Sequence, residues 1–141
     1  MGDCIFCKIV KGELPSSKVY ENDKVVVILD INPVMPGHVL VIPKEHHTNV
    51  LETPDALLDE ILRTVKKLAP SIMKATGCDG FNIGVNTGPT AGQLVLHTHF
   101  HVMPRQAKDE LRLWKGKKYK DGEAGSVLAK IKDELNKQGI K

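Results

Sequence analysis

Three histidines at alternate positions are the residues of this sequence best suited to chemistry. They are His97, His99 and His101, each separated from the next by one residue. Successive side chains of a β-strand point to opposite faces, so a strand over residues 95–103 would place the three imidazoles on one face, about 6 to 7 Å apart. An imidazole titrates near neutral pH and can act as base, acid, nucleophile or metal ligand. The spacing therefore predicts a reactive face.

The residues between the histidines predict the opposite face of the same strand. Alternation would direct four side chains into a core: Leu96, Thr98, Phe100 and Val102. The other histidines of the chain, His38, His46 and His47, fall in one further short window. We therefore expect the two windows to come together in the fold.

A pair of cysteines near the start of the chain has the spacing of a metal site. Cys4 and Cys7 could grip one tetrahedral zinc ion, which needs two further ligands. Cys78 stands alone, so the missing ligands would have to be histidines from the two windows. A free thiol pair or a redox couple is the alternative.

Strands and helices must position these groups, and residue patterns in the sequence predict where these elements lie. Lys18–Glu21 and Lys24–Asp30 predict a hairpin, and the next two strands are predicted over His38–Pro43 and Gly80–Asn86. One long amphipathic helix is predicted between these two strands, with Thr53 as its N-cap and Pro54 at its first position.

The end of this long helix is predicted at Gly77, with a kink or a break at Pro70. A final amphipathic helix is predicted over residues 126–136.

Two loops could contact an anion. Residues 87–93 are rich in Gly and lie directly before the histidines, where backbone N–H groups could face a phosphate. The basic run over residues 115–120 predicts a solvated loop, with a phosphate-contacting flap as the alternative.

Composition limits the class of protein. The 141 residues suit one compact domain, and 26% charged with 41% hydrophobic residues argues against disorder. A net charge of +3 does not indicate a nucleic-acid partner. No apolar run is long enough to span a membrane, and residues 1–4 lack a secretory signal, so we expect a cytoplasmic protein that does not bind membranes.

Two sequence motifs resemble those of the histidine triad (HIT) family, and in particular the prokaryotic Hit-type nucleotide hydrolases. Residues 36–44 read Pro-Gly-His-Val-Leu-Val-Ile-Pro-Lys, and Ala91-Gly92-Gln93 precedes the three histidines. The resemblance extends from Cys4 to Arg105. It implies an α+β, HIT-like fold with an antiparallel sheet of about five strands, one long helix and one C-terminal helix.

The resemblance also implies the organisation of the chain. Residues 1–141 would form a single HIT domain, with a core over 4–105 and a basic C-terminal extension over 106–141. Members of the family are homodimers.

An activity follows from the resemblance. Such proteins cleave at the α-phosphate of purine nucleotide conjugates, such as AMP phosphoramidates or dinucleoside polyphosphates, through a covalent nucleotidyl-histidine. By analogy His99 is the nucleophile, and His101 holds phosphate oxygens and protonates the leaving group. His38 completes the pocket, and the backbone carbonyl of His97 orients the nucleophile. No catalytic metal is required.

The resemblance assigns binding roles as well. Asp30 matches a ribose-hydroxyl acceptor. The purine pocket is matched by Ile5, Phe6, Ile9 and Ile31, and the phosphate cradle by Asn86, Gln93 and the backbone near Leu94 and Val95. Leu94 departs from branches of the family that carry a serine there to donate to the leaving group.

Zinc-containing relatives supply ligands for the cysteine pair. The corresponding residues here are Cys4, Cys7, His46 and His97, and a closed site with four protein ligands is structural rather than catalytic. His47 has no assigned role, and we expect it to be exposed.

Two other functions compete with the hydrolase. His97 and His99 could be ligands of a catalytic metal, but thiolates and histidines favour a closed site. A non-catalytic purine-nucleotide-binding regulatory protein is the other alternative, and the intact triad argues against it.

Overall fold

The computed structural model describes residues 2–141, so only Met1 of the predicted domain lies outside it. The chain divides into two compact units, one ending at Asp109 and one beginning at Glu110. The elements of the first unit are α1 (Ile5–Val10), β1 (Lys18–Glu21), β2 (Val25–Leu29), β3 (Val39–Pro43), α2 (Asp55–Thr76), β4 (Gly80–Gly84), a 3₁₀ turn (Pro89–Ala91) and β5 (Phe100–Arg105). The second unit contains α3 (Glu123–Lys137).

The five strands form one antiparallel sheet in the order β1-β2-β3-β5-β4. β2 and β3 are runs of β-branched and aliphatic residues, and nearly all of their side chains are buried. Such runs suit the centre of a sheet that is covered on both faces. The predicted α+β fold and its hairpin are therefore confirmed.

Each face of the sheet has its own apolar cluster. One face packs against α2 and contains the strand residues Val25, Val27, Val39, Val41, Phe100 and Val102. The other face packs around Phe6 of α1 and contains Val26, Ile28, Leu40 and Ile42. The histidine-bearing side of β5 is the α1 side, because Phe100 and Val102 point towards α2.

Helix α2 differs from the sequence prediction at two points. Its N-cap is Pro54, which makes no side-chain cap, while the Thr53 hydroxyl instead donates to the carbonyl of Asn49 at 2.9 Å. Pro70 does not end the helix, because it lies on the exposed side, where water can solvate the freed carbonyl. Gly77 does end the helix, in a left-handed conformation with φ 66°.

Helix α1 was not predicted from the sequence, because six residues are too few to show a period. The Cys4 Sγ accepts the backbone N–H of Cys7 at 3.5 Å. The two cysteines thus occupy the N-cap and the first turn, where the N–H groups of a helix lack intrahelical partners. Phe6 lies between them and is buried.

The second unit consists of a basic segment without helix or strand, followed by α3. The helix is confirmed and is slightly longer than predicted, and all of its residues are exposed. Residues 115–120 form an exposed loop without helix or strand. No helix within residues 2–141 has the length and apolarity to cross a bilayer. The cytoplasmic location stays a prediction.

Candidate functional site

The triad begins before the strand that was predicted to carry it. β5 starts at Phe100, so the prediction of a strand through residues 95–99 was wrong. Phe100 pairs with Val41 of β3, and continuing the ladder would bring Thr98 opposite Pro43, which has no N–H to donate. The N–H of Thr98 instead donates to the carbonyl of His47 at 2.8 Å.

The opposite face is largely as predicted. Phe100, Val102 and Thr98 are buried, with exposed fractions of 6%, 2% and 1%. Leu96 was wrongly predicted to enter the core, and it is 53% exposed because the chain is irregular there.

His99 is held with one ring nitrogen bonded and the other free. Its Nδ1 lies 2.7 Å from the carbonyl oxygen of His97, an acceptor, so Nδ1 carries the proton. Nε2 therefore has a lone pair, and no side chain or backbone group among residues 2–141 bonds to it. The ring is 8% exposed and stands edge-on to Phe6, with ring centroids 5.0 Å apart. Burial lowers the pKa of His99 from its ordinary value, which keeps the ring neutral at pH 7.

His38 and His101 form a second pair whose proton positions also follow from the backbone. The N–H of Val34 donates to His38 Nδ1 at 3.1 Å, so neutral His38 carries its proton on Nε2. That Nε2 lies 2.9 Å from His101 Nδ1, which must accept. Neutral His101 therefore carries its own proton on Nε2.

Burial keeps both members of this pair neutral. It lowers the pKa of His38, and it lowers that of His101 to about 4, with the neighbouring His99 and His38 acting in the same direction. Asp30 opposes the shift, because its carboxylate lies 3.5 Å from His38 Nε2 and 3.9 Å from His101 Nδ1. The pair is thus placed to take up a proton when a second negative charge arrives.

The ring with the free lone pair and the ring with the free N–H are neighbours. The rings of His99 and His101 have centroids 5.1 Å apart. One offers a nucleophilic nitrogen and the other a hydrogen-bond donor, which is the combination that group transfer at phosphorus needs.

The two cysteines and two histidines predicted as zinc ligands converge on one point. The ligand atoms of Cys4, Cys7, His46 and His97 all lie within 4.8 Å of one another. His97 Nδ1 is 3.3 Å from Cys4 Sγ and 3.1 Å from His46 Nδ1, and Cys7 Sγ is 3.3 Å from His46 Nδ1. The edges of a tetrahedron of two sulfur and two nitrogen atoms around zinc are about 3.3–3.8 Å long. The donor set and its spacing fit the metal.

The ring of His97 is oriented for this role by a carbonyl. Its Nε2 donates to the carbonyl of Pro43 at 2.8 Å, which leaves a lone pair on Nδ1 towards the cysteines. Burial lowers the pKa of His97 to about 4, so the ring is neutral. Burial raises the pKa of the Cys7 thiol, and a bound cation would offset this by favouring the thiolate.

A second group of potential ligands, which the sequence did not suggest, is less suited to a metal. Asp30, His38 and His101 also have ligand atoms within 4.8 Å of one another. The N–H of Val34 occupies Nδ1 of His38, so Nε2 holds the proton and has no lone pair for an ion.

The residues matched to a purine pocket are spread between core and surface. Phe6 is buried and Ile9 packs against the same cluster, while Ile5 is 42% and Ile31 is 88% exposed. The carboxylate of Asp30 reaches the histidine pair and also accepts the N–H of Asn32 at 2.8 Å.

The residues matched to a phosphate cradle also differ among themselves. Leu94 is 92% exposed, Val95 packs on the Phe6 cluster, and Gln93 is buried. Asn86 is partly exposed. A cleft of about 530 Å³ is lined by Ile5, Leu94 and Val95 together with the cluster residues Cys4 and His46.

His47 is not exposed as predicted. Its side chain is only 16% exposed, because the segment after β3 is bonded to residues 93–98. Its Nε2 lies 2.9 Å from Glu45 Oε1 but without hydrogen-bond geometry.

Sequence reasoning missed two hydrogen-bond contacts at the site, one from a backbone N–H and one between two hydroxyls. The contact of the Val34 N–H could not be read from the sequence, because every residue except proline has a backbone N–H. Thr98 was placed in the core, but its hydroxyl lies 2.8 Å from that of Thr53, a polar contact that a threonine among apolar spacers could have suggested.

Comparison with known proteins identifies the family. The model of the HIT domain matches residues 11–108. The chain belongs to the HIT domain family. Among solved structures, SMU.412c from Streptococcus mutans is 42% identical with a TM-score of 0.88, covering 98% of this chain and 86% of that one. A Zn-bound histidine triad family protein from Mycobacterium smegmatis is 32% identical with a TM-score of 0.76, covering 94% of this chain and 98% of that one.

Two proteins that are similar to this chain are named as enzymes. The adenylylsulfatase HINT3 of Arabidopsis thaliana is 47% identical over 107 residues, which are 76% of this chain and 54% of that protein. This chain therefore spans about half the length of that relative. The adenosine 5′-monophosphoramidase HNT1 of Candida albicans is 39% identical over 142 residues, covering 95% of this chain and 92% of that protein.

Proposed function

We propose that this HIT protein is a nucleotide hydrolase or transferase that cleaves purine nucleotide conjugates at the α-phosphate through a covalent nucleotidyl-histidine. The observation that carries the proposal is the free Nε2 lone pair of His99 beside the Nε2–H of His101. The names of the Arabidopsis and Candida relatives support an adenylyl substrate with a sulfate or amine leaving group.

The first step is attack of His99 on phosphorus. A bond forms between His99 Nε2 and the α-phosphorus, and the bond from phosphorus to the leaving group breaks. The carbonyl of His97 stabilises positive charge on the His99 ring through Nδ1–H.

Proton transfer to the leaving group comes from the histidine pair. The negative charge of the bound phosphate, together with Asp30, favours one extra proton on His38 and His101. His101 delivers that proton to the departing atom as the bond breaks. In the second step water attacks phosphorus, the pair takes back a proton, and His99 leaves with the nucleotide monophosphate released.

Zinc has a structural place in this proposal. Cys4, Cys7, His46 and His97 would hold it, and all four positions are then protein ligands, so no step passes through the ion. Bound there, zinc supplies a cross-link between α1 and the segment that leads into β5. A homodimer is part of the same proposal, and light scattering should give twice the chain mass.

The decisive experiment uses His99→Ala with adenosine 5′-phosphoramidate. The wild-type protein should turn the substrate over and show, after rapid quenching, an added mass of adenylate on His99. His99→Ala should bind AMP but lose turnover by at least about a thousandfold, since no nucleophile remains. Substantial activity in the variant would defeat the mechanism, and a wild-type protein that binds AMP without turnover would favour the regulatory alternative.

A further inference from the structure

The side chain of Gln93 has no hydrogen-bond donor left for a ligand. It is 4% exposed, and its Nε2 donates to the carbonyls of Thr48 at 2.6 Å and Val95 at 3.1 Å. Its Oε1 accepts the N–H of Gly88 at 2.9 Å. A primary amide has two N–H donors, and both are used inside the protein.

The three bonds of Gln93 join three separate segments of the site. Gly88 begins the loop before the triad, and Thr48 directly follows His46 and His47 in the segment after β3. Val95 lies two residues before His97. On the C-terminal side of His97, the N–H of Thr98 donates to the carbonyl of His47 at 2.8 Å. The segment carrying His97 is thus fastened on both sides to the segment carrying His46.

We propose that Gln93 is a positioning residue rather than a phosphate ligand. It holds the loop over residues 88–92 and the approach to His97, whose carbonyl orients the His99 ring. Gln93 acts through that carbonyl and does not touch the substrate. This inference rests on the proposed function and changes the role that the family resemblance implied for Gln93.

A second amide, that of Asn86, bonds to the same loop and makes a matched contrast. Asn86 is partly exposed, and it makes one bond, from Nδ2 to the carbonyl of Gly92 at 3.3 Å. Its Oδ1 and second N–H have no partner among residues 2–141. Asn86 therefore has an N–H that could donate to a phosphate oxygen, whereas Gln93 has no N–H left to donate.

Two variants of Gln93 distinguish the hydrogen bonds that its side chain donates from the one that it accepts. Gln93→Glu keeps an acceptor for the N–H of Gly88 but cannot donate to Thr48 and Val95. Gln93→Met has a similar length and removes both the donated and the accepted hydrogen bonds without adding charge. Circular dichroism establishes that each variant is folded before it is compared.

Binding and catalysis should respond differently in these variants. The Kd for AMP, measured by calorimetry, should stay within about twofold of wild type for Gln93→Met, because that variant loses no phosphate contact and adds no charge. The single-turnover rate of adenosine 5′-phosphoramidate should fall about ten- to hundredfold, because small displacements of a reacting group carry costs of that size. In Asn86→Ala the AMP affinity should fall about tenfold, as expected for a hydrogen bond to a charged group.

A readout that needs no activity keeps the two proposals apart. Amide exchange of Gly88, followed by NMR, should be faster in Gln93→Met and close to wild type in Gln93→Glu. If wild-type protein fails to turn over the phosphoramidate, the proposed function fails, and AMP binding and Gly88 exchange still test Gln93. A tenfold rise in the AMP Kd with unchanged Gly88 exchange in Gln93→Met would make Gln93 a phosphate ligand. A single-turnover rate within twofold of wild type in both variants would also overturn the proposal.

Discussion

Two backbone groups determine what the histidine side chains can do. The carbonyl of His97 places the proton of His99 on Nδ1, and the N–H of Val34 places that of His38 on Nε2. Because His38 Nε2 then donates to His101 Nδ1 at 2.9 Å, the proton of neutral His101 lies on its Nε2. Identical imidazoles thereby differ in what they offer, a free Nε2 lone pair on His99 and an Nε2–H on His101, without any difference in side-chain chemistry.

The donor role of His101 is testable through the leaving group. His101→Gln should slow the hydrolysis of adenosine 5′-phosphoramidate about 10²- to 10⁴-fold, because an amine must be protonated as it departs. An AMP ester of p-nitrophenol should be affected far less, since that anion leaves without a proton. Steady-state rates for the two substrates provide the measurement, and an equal loss for both would contradict an acid role.

The buried histidines also predict how stability depends on pH. Burial lowers the pKa of His101 to about 4, against 6.5 in the unfolded chain. Between these values the unfolded state binds more protons, so stability is lost as pH falls from about 6.5 to about 4. The loss from this residue is at most about 3 kcal/mol.

Urea unfolding of wild type and His101→Gln at a series of pH values measures this dependence. The difference in unfolding free energy between the two proteins should change across that window and level off above about pH 7. A difference that does not vary with pH would show that His101 titrates alike in the folded and unfolded states.

At the scale of elements, the loop that leads into β3 depends on its close approach to α2. Gly37 has φ +90°, and a Cβ there would lie 2.5 Å from Cγ2 of Thr76, in the last turn of the helix. This contact fixes the entry to the strand and, with it, the position of His38. The fold therefore requires glycine here for two reasons, backbone conformation and space.

Gly37→Ala should destabilise the protein by about 2–4 kcal/mol, which combines left-handed strain with a steric overlap. Gly12→Ala is the control, since Gly12 has φ +77° and open space around it. The control should cost only about 1–2 kcal/mol. Thermal and urea denaturation measure both, and similar losses for the two variants would contradict the importance of the contact with α2.

Helix α1 connects the two halves of the site. Phe6 lies between the cysteines in sequence, and its ring is edge-on to both His97 and His99, with centroids 5.8 and 5.0 Å apart. Phe6 therefore packs against one ring of the cysteine cluster, His97, and against His99.

At the scale of the whole molecule, zinc at the cysteine cluster is expected to stabilise the fold. Chelation should lower Tm by about 5–15 °C, because each kcal/mol corresponds to a few degrees in a chain of this size. Cys7→Ser should lose bound zinc, measured by elemental analysis, and show little further change on chelation. Cys78→Ser is the control, since Cys78 lies outside the cluster and should keep both metal and Tm. An unchanged Tm of the wild-type protein on chelation would contradict a structural metal.

Much of the fold was readable from local patterns. The β-branched runs of β2 and β3 and the period of α2 predicted central strands and a long helix, because burial selects the same residue types wherever these elements occur. The limits were wrong where tertiary contacts decide. Strand β5 starts only at Phe100, after two of the three histidines that were predicted to lie on it.

The sequence by itself determined which side chains are available: three alternating histidines, a fourth before β3 and a cysteine pair with two histidines in reach. Only the tertiary structure decided which nitrogen of each ring carries a proton, and that the side-chain amide of Gln93 is bonded to Gly88, Thr48 and Val95. The physical reason is that hydrogen-bond direction and burial depend on backbone groups far away in sequence. Spacing places a side chain on a face, but its partners across the fold set its protonation and its role.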